Sequence, residues 1–389
     1  MRNDCLNETV NDEYSRPPEC KRAWIEVDLD ALAHNAEQLS KLLFGSCELM
    51  AVVKADAYGH GYQQVSLRLQ QEGIRSFAVA TLVEGVKLRE IGISGDILVL
   101  GYTQPKDASF LHDFSLSQLV IDEAYAKMLD DTGYSLKIHV AVDTGMHRLG
   151  IEASNFAEIE KLFNFENLSV IGTATHLASP DSLDESGSEF TDLQIERFFE
   201  VVKDLKDKGY DAGKLHAQSS YGIVNYPDAK YDYARAGILL YGVKGSYSDD
   251  IKTEPSLLPV LSLRAVIAQV RMVEAGESIG YGRSFTTATP MKLAIACIGY
   301  ADGIPRHISG NGGMCLVNGQ KVPIVGRVSM DLITIDVTAV EDVSTGDVVT
   351  IIGKDGNMEI RCEDVAAAAG TITNDILSRL GTRLTRIYR

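Results

Sequence analysis

From Glu48 to Gly242 short apolar runs alternate with amphipathic stretches. The runs read LMAVVK, SFAVAT, DILVLG, SQLVID, KIHVAVD, VIGTATHL, KLHAQSS and ARAGILLYG. Between them lie segments such as Tyr62–Gly73 and Ser188–Gly209, whose apolar residues recur at helical spacing. Strand followed by helix, repeated, predicts parallel strands joined by helical crossovers. Eight such units in about two hundred residues is the count of a closed (β/α)8 barrel. An open doubly wound sheet is the competing arrangement.

The pattern changes near Pro255. LSLRAVIAQVRMVEAG, MKLAIACIGYADG, GGMCLVNGQKVPIVGRVSMDLITIDVTAV and GDVVTIIG are alternating or β-branched runs broken by Gly and Asn-Gly. Such punctuation signals hairpins. The expected fold class is therefore α/β: a (β/α)8 TIM-like barrel over residues 23–254, followed by a mostly β C-terminal domain over 255–389. The segment Ala23–Leu43 reads as a short strand and a helix, with Asp28 and Asp30 where a helix start favours acidic groups. That first strand is expected to join the β domain. Residues 1–22 are polar and read as a flexible lead-in or linker.

A chain of 389 residues suits two such units. Its formal charge of −17 argues against nucleic acid and against anionic lipid as partners. The six cysteines are scattered without a CxxC pair, which suits a reducing compartment. No apolar run approaches the roughly 18 residues that span a bilayer, and the first residues do not read as a signal peptide. A cytoplasmic location is expected, with no membrane contact from this chain itself.

One stretch carries chemistry. In AVVKADAYGHG an apolar run ends in Lys54. Catalytic groups of a barrel sit at the C-terminal ends of its strands. A lysine desolvated there has a lowered pKa and becomes an amine nucleophile able to condense with a carbonyl group. The stretch alone leaves a lysine snorkelling to solvent equally open.

Other motifs decide between the two. VVKADAYGHG, DTGMHRLG, THLASPD, ARAGILLYG, GYGRSF, GYADG and GRVSMD follow one another in an order that resembles the alanine racemase family, across nearly everything after residue 22. The resemblance implies pyridoxal 5′-phosphate as cofactor and a small amino acid as substrate. It implies that Lys54 holds the cofactor covalently, and that Tyr58, Ser220 and the N–H groups of Gly237 and Ile238 hold its phosphate. Arg235 would face the pyridine nitrogen and, being unable to give up its proton, keep that nitrogen unprotonated. A salt bridge of Arg235 with Asp232 is the alternative. Lys54 and Tyr281 would serve opposite faces of the substrate Cα. Tyr281 lies in the β domain, so the resemblance implies a head-to-tail homodimer with shared sites. His176 would hydrogen-bond Tyr281 and stand next to Arg235. Arg148 and the N–H of Met330 would take the substrate carboxylate. Tyr300 would line the entrance, with Asp331 and His216 behind.

Two positions depart from the family pattern. Ala141 stands where many alanine racemases carry a lysine, so Arg148 must be oriented by something else. Asn374, in TITND, replaces a tyrosine that crowds the substrate pocket. The smaller amide opens volume and adds a donor and an acceptor that suit the hydroxyl of serine. This pattern resembles the racemase domain of the membrane-anchored VanT-type serine racemases of vancomycin-resistance clusters. A lead-in of linker character fits the cytoplasmic domain of a membrane-anchored parent. A housekeeping alanine racemase is the alternative. A barrel decarboxylase is disfavoured by Arg235 and Tyr281, and a non-catalytic cofactor carrier by the β domain.

Overall fold

The computed structural model describes residues 22–228 and 230–389. Its strands are β1 (Ala23–Val27), β2 (Glu48–Val52), β3 (Ser76–Val79), β4 (Asp96–Val99), β5 (Ser117–Val120), β6 (Leu136–Asp143), β7 (Ile151–Glu152), β8 (Leu168–Ala174), β9 (Lys214–His216) and β10 (Tyr233–Ala236). Strands β2–β6 and β8–β10 pair in parallel in the order β10-β2-β3-β4-β5-β6-β8-β9, while β7 is a short arm on β6. The two ends meet through Asp232 N–H to Leu215 O at 2.8 Å and Arg235 N–H to Gln218 O at 3.1 Å. The expected barrel is thus present. Its strands read as unbroken apolar runs because both faces are covered; all four residues of β3 and of β10 are buried.

The crossover helices follow from pattern and capping. The helix Glu185–Asp207 buries Gly187, Thr191, Gln194, Phe198, Val201 and Leu205, one stripe at spacings of three and four. Asp184 caps it by accepting from Gly187 N–H. The helix Leu82–Glu90 starts with a reciprocal capping box between Thr81 and Glu84.

The β domain adds β11 (Leu261–Val273), β12 (Ser278–Ile279), β13 (Phe285–Thr286), β14 (Met291–Ala296), β15 (Met314–Val317), β16 (Gln320–Val325), β17 (Ile333–Asp336), β18 (Val348–Asp355), β19 (Met358–Ile360) and β20 (Thr385–Tyr388). Asn318 and Gly319, both at positive φ, turn β15 into β16, as Asn-Gly does in a two-residue hairpin. The long strand β11 pairs with β14, β18 and β1. β1 also runs parallel to β20, with Trp24 opposite Thr385, so the first strand lies inside the sheet of the last third.

The lead-in reading of residues 1–21 falls outside the described residues. Arg22, placed in it from sequence, belongs to the folded body instead: its guanidinium pairs with buried Asp302 at 2.5 Å and its carbonyl accepts from Val266 N–H. A single apolar cluster runs through both parts, including Ile25, Phe77, Leu263 and Ile376. Among the described residues, no helix is long and apolar enough to cross a membrane.

Asn35 ties the halves together. Fully buried on the helix Leu29–Ser40, it donates to Leu240 O and Leu258 O and accepts from Leu258 N–H. Asn35→Leu keeps the volume but leaves those backbone groups unpaired. It should lower the unfolding free energy by about 3 kcal/mol, measured by urea denaturation; a loss below about 1 kcal/mol would show that the groups find other partners.

Candidate active site

A cavity of 480 Å³ opens at the C-terminal ends of the barrel strands, lined by Lys54, Tyr58, Arg148, His176, Ser220 and Arg235 among others. Lys54 does not end β2, which stops at Val52; it opens the turn that follows. Ala55, Asp56, Ala57 and Tyr58 have φ of 52°, 56°, 53° and 51°. These four consecutive non-glycine residues form a left-handed helical turn, at a cost of roughly 1–2 kcal/mol each. Ala57 N–H bonds to Val53 O and Gly59 N–H to Ala55 O, both at 3.0 Å. Ala55 N–H donates to Glu84 Oε1 at 2.7 Å, while Glu84 Oε2 caps its own helix start. Burial first, then the charge of Arg148, pulls the Lys54 amine below its ordinary pKa, against an opposing pull from Glu84. That is the state a nucleophilic or basic lysine requires.

Opposite the lysine, the chain builds an anion cradle. Ser220 was expected at a strand end; it opens the helix Ser220–Asn225 instead. Its Oγ accepts from Gly237 N–H at 2.9 Å and Leu239 N–H at 3.3 Å. Ile238, whose amide is expected to serve a phosphate, opens a 3-10 turn between these two and lines the cavity. At Gly237 a Cβ would stand 2.8 Å from Tyr58 Oη, so only glycine leaves the space between the hydroxyls open. Burial pushes the Tyr58 phenol up to about 12, keeping it a donor. Two hydroxyls and two amides around a space that a Cβ would fill fit a phosphate group.

Arg235, on β10, is buried, and among the described residues no carboxylate pairs with it. Its Nη1 donates to His216 Nδ1 at 2.5 Å and to His216 O at 3.0 Å. Its Nη2 reaches Thr175 O at 2.7 Å, Ala217 O at 3.1 Å and His176 Nδ1 at 3.2 Å. The Asp232 alternative fails: that carboxylate binds Leu215 N–H and pairs with Lys214. Because arginine can only donate, His216 must accept at Nδ1 and carry its hydrogen on Nε2. That nitrogen lies 2.8 Å from Nδ1 of His139. Burial, with Arg235 next among the causes, holds His216 far below the ordinary histidine value and His176 down at about 3. Burial takes Arg235 itself to about 10, so it remains a cation at neutral pH.

The substrate end is more open. Arg148 is exposed on a loop that Asp143 shapes by accepting from Gly145 and His147 N–H. Among the described residues no side chain pairs with its guanidinium, and Ala141 lines the cavity beside it. Sequence reasoning missed what fixes this region. Gln194 bonds Thr144 Oγ1, His176 O and Ala178 N–H, and so ties two loops to one helix. Asn374 lines the same cavity, on the helix Thr373–Ser378. A Cβ at Gly245 would lie 3.3 Å from Tyr221 Oη and 3.6 Å from Asn374 Oδ1. Tyr221, which also lines the cavity and was not singled out, donates to Asp249.

Three expected residues stand apart from this cavity. Tyr281 is 68% exposed in the turn between β12 and β13, Met330 is 52% exposed and Tyr300 is 40% exposed. Tyr300 N–H and Ala301 N–H bond to Ser329 O and Met330 O, which joins the last two loops. Asp331 pairs with Arg383. None of the three lines the cavity of its own chain.

Comparisons with known proteins agree with this geometry. The profile described as alanine racemase, N-terminal domain, matches residues 27–245, and that described as alanine racemase, C-terminal domain, matches residues 260–388. An amino-acid racemase of Enterococcus faecalis is 42% identical over 368 residues, covering 95% of this chain and 52% of that protein. A serine/alanine racemase of Enterococcus gallinarum is 38% identical over 365 residues, covering 94% of this chain and 51% of that protein. The chain thus spans about half the length of these relatives. The crystal structure of alanine racemase from Bacillus anthracis with bound L-Ala-P superposes with a TM-score of 0.89 at 32% identity, covering 96% of each chain. Alanine racemases depend on pyridoxal phosphate, and the cradle and lysine described above suit it. With both profiles matched in order along one continuous fold, the chain belongs to the alanine racemase family.

Proposed function

We propose that this chain is an amino-acid racemase that interconverts L- and D-serine, and L- and D-alanine as well, with pyridoxal phosphate as cofactor. The observation that carries the reading is the pairing, in one cavity, of a lysine of depressed pKa with a buried arginine that has no counter-ion. Lys54 would hold the cofactor, Tyr58, Ser220 and the Gly237 and Ile238 amides its phosphate, and Arg235 its ring nitrogen. When bound, the cofactor would acidify the substrate Cα by drawing electrons from it. The chain supplies the proton handling. Arg235 cannot surrender its own proton, so the ring would store little charge and return of a proton to Cα would be favoured over side reactions. Lys54 takes or gives that proton on one face.

The opposite face needs a second acid–base group. Tyr281 is the candidate, and because it lies outside its own cavity it would act in that of a second copy, in a head-to-tail homodimer. His176, whose Nδ1 is taken by Arg235, keeps its Nε2–H for such a tyrosine. Arg148 and the Met330 amide would take the substrate carboxylate, with Tyr300 at the entrance. The serine reading rests on Asn374 and Tyr221 as polar groups at the substrate end, and it matches the name of the Enterococcus gallinarum relative. D-Serine made this way would feed cell-wall precursors in vancomycin resistance.

Borohydride reduction of the cofactor-loaded chain should fix the label on Lys54, read by peptide mass spectrometry. A label on another lysine would remove Lys54 from its role. Tyr281→Phe should leave cofactor binding intact and cut turnover by about a hundredfold or more; steady-state rates near wild type would discard Tyr281. Asn374→Tyr should reduce kcat/KM for L-serine about tenfold more than for L-alanine, since a pocket's discrimination over one hydroxyl is of this order. If the ratio stays put, the serine preference loses its support and the alanine racemase alternative stands.

A further inference from the structure

We infer that Arg386, on the last strand, is a positioning residue for Lys54: it clamps the left-handed turn after that lysine from behind. The inference rests on the reading above only in that Lys54 is the amine being positioned.

The Arg386 side chain is 11% exposed. Its Nε donates to Gly59 O at 2.9 Å and its Nη2 pairs with the Asp56 carboxylate at 3.1 Å. The same guanidinium reaches Leu380 O at 3.1 Å, Leu384 O at 3.3 Å and Gly381 O at 3.5 Å. One edge of the fork therefore grips the turn, and the rest grips the loop leading into β20. Asp56, itself at positive φ, also accepts from Tyr62 N–H at 2.9 Å, which fastens the turn to the next helix. Two residues on, and so on the same face of β20, Tyr388 closes against Gly61, where no Cβ would fit.

A second support comes from inside. His60 is buried, and its Nδ1 lies 3.1 Å from Ala57 O and 2.9 Å from Tyr58 O, so that nitrogen carries the hydrogen. Its ring packs on Tyr241, which packs on Tyr58.

Neither alanine of the turn favours the left-handed well, so its shape has to be imposed from outside. Charge-assisted contacts hold it at both ends: Glu84 at the Ala55 amide, and Arg386 at Asp56 and the Gly59 carbonyl. Arginine suits this place because a rigid fork can hold a carboxylate and several carbonyls at once, where an ammonium offers only a point charge.

The test is hydrogen–deuterium exchange on the full-length chain as purified, read in the peptide 55–61 and in peptides from β3 and β11. In Arg386→Ala the turn amides should exchange on the order of tenfold faster, with β3 and β11 unchanged. Arg386→Lys should fall between the two, and millimolar guanidinium should restore protection in the alanine variant. Pyridoxal phosphate, titrated by absorbance, should bind several-fold more weakly to both variants. Should the alanine variant fail to fold, the lysine variant carries the same comparison. Unchanged exchange in the turn, or acceleration shared equally with β3 and β11, would overturn the proposal and leave Arg386 a general stabiliser. Exchange needs no turnover, so a chain that racemises nothing would sink the functional reading while leaving this result to stand.

Discussion

A positive charge buried without an anion sets the terms for the whole cavity. An unpaired ion in a protein interior is costly unless each of its donors is met. Arg235, on β10, meets that demand with three carbonyls and two imidazoles drawn from the ends of β8 and β9. These are the strands at and beside the seam where the barrel closes, and the arginine is part of how it closes. Burial first, and its charge next, keep the neighbouring histidines neutral, and its donors leave the hydrogen of His216 on the nitrogen that faces His139.

Much of the barrel was legible because parallel strands covered on both faces leave continuous apolar runs, and their spacing counts the units. Lys54 was legible as an ammonium at the end of such a run. The left-handed turn behind it was not. KADAY carries no glycine or asparagine, and the forces that hold it come from Glu84 and from the far end of the chain. His139 was hidden for a similar reason. In KIHVAVD it looks like any inward strand position, and only the packing of β6 against β8 and β9 sets it beside His216. Ser220 lines the cavity but on another element than expected, since a three-residue strand, three linking residues and a helix start look like one longer strand.

The two parts of the chain divide the work unequally. The barrel supplies the cavity, its lysine and its cradle. The β domain contributes Asn374 to that cavity and braces the turn after Lys54, while its Tyr281, Tyr300 and Met330 are exposed and do not line it. One cavity therefore holds one lysine of lowered pKa, and none of these three side chains lines it.

Strand β1 has a consequence for how the chain is made. It leaves the ribosome well before its partners, for its neighbours are β11 and β20, and Trp24 pairs with Thr385. At roughly 5–20 residues per second, synthesis leaves that strand waiting tens of seconds for its last partner. Over that interval Ala23–Val27, an apolar pentapeptide apart from Glu26, has an unsatisfied edge. The barrel can close its own ring meanwhile, but the sheet of the β domain is sealed only once β1 and β20 are both present. Newly made protein should therefore be most exposed to aggregation, and most useful to chaperones, late in its synthesis.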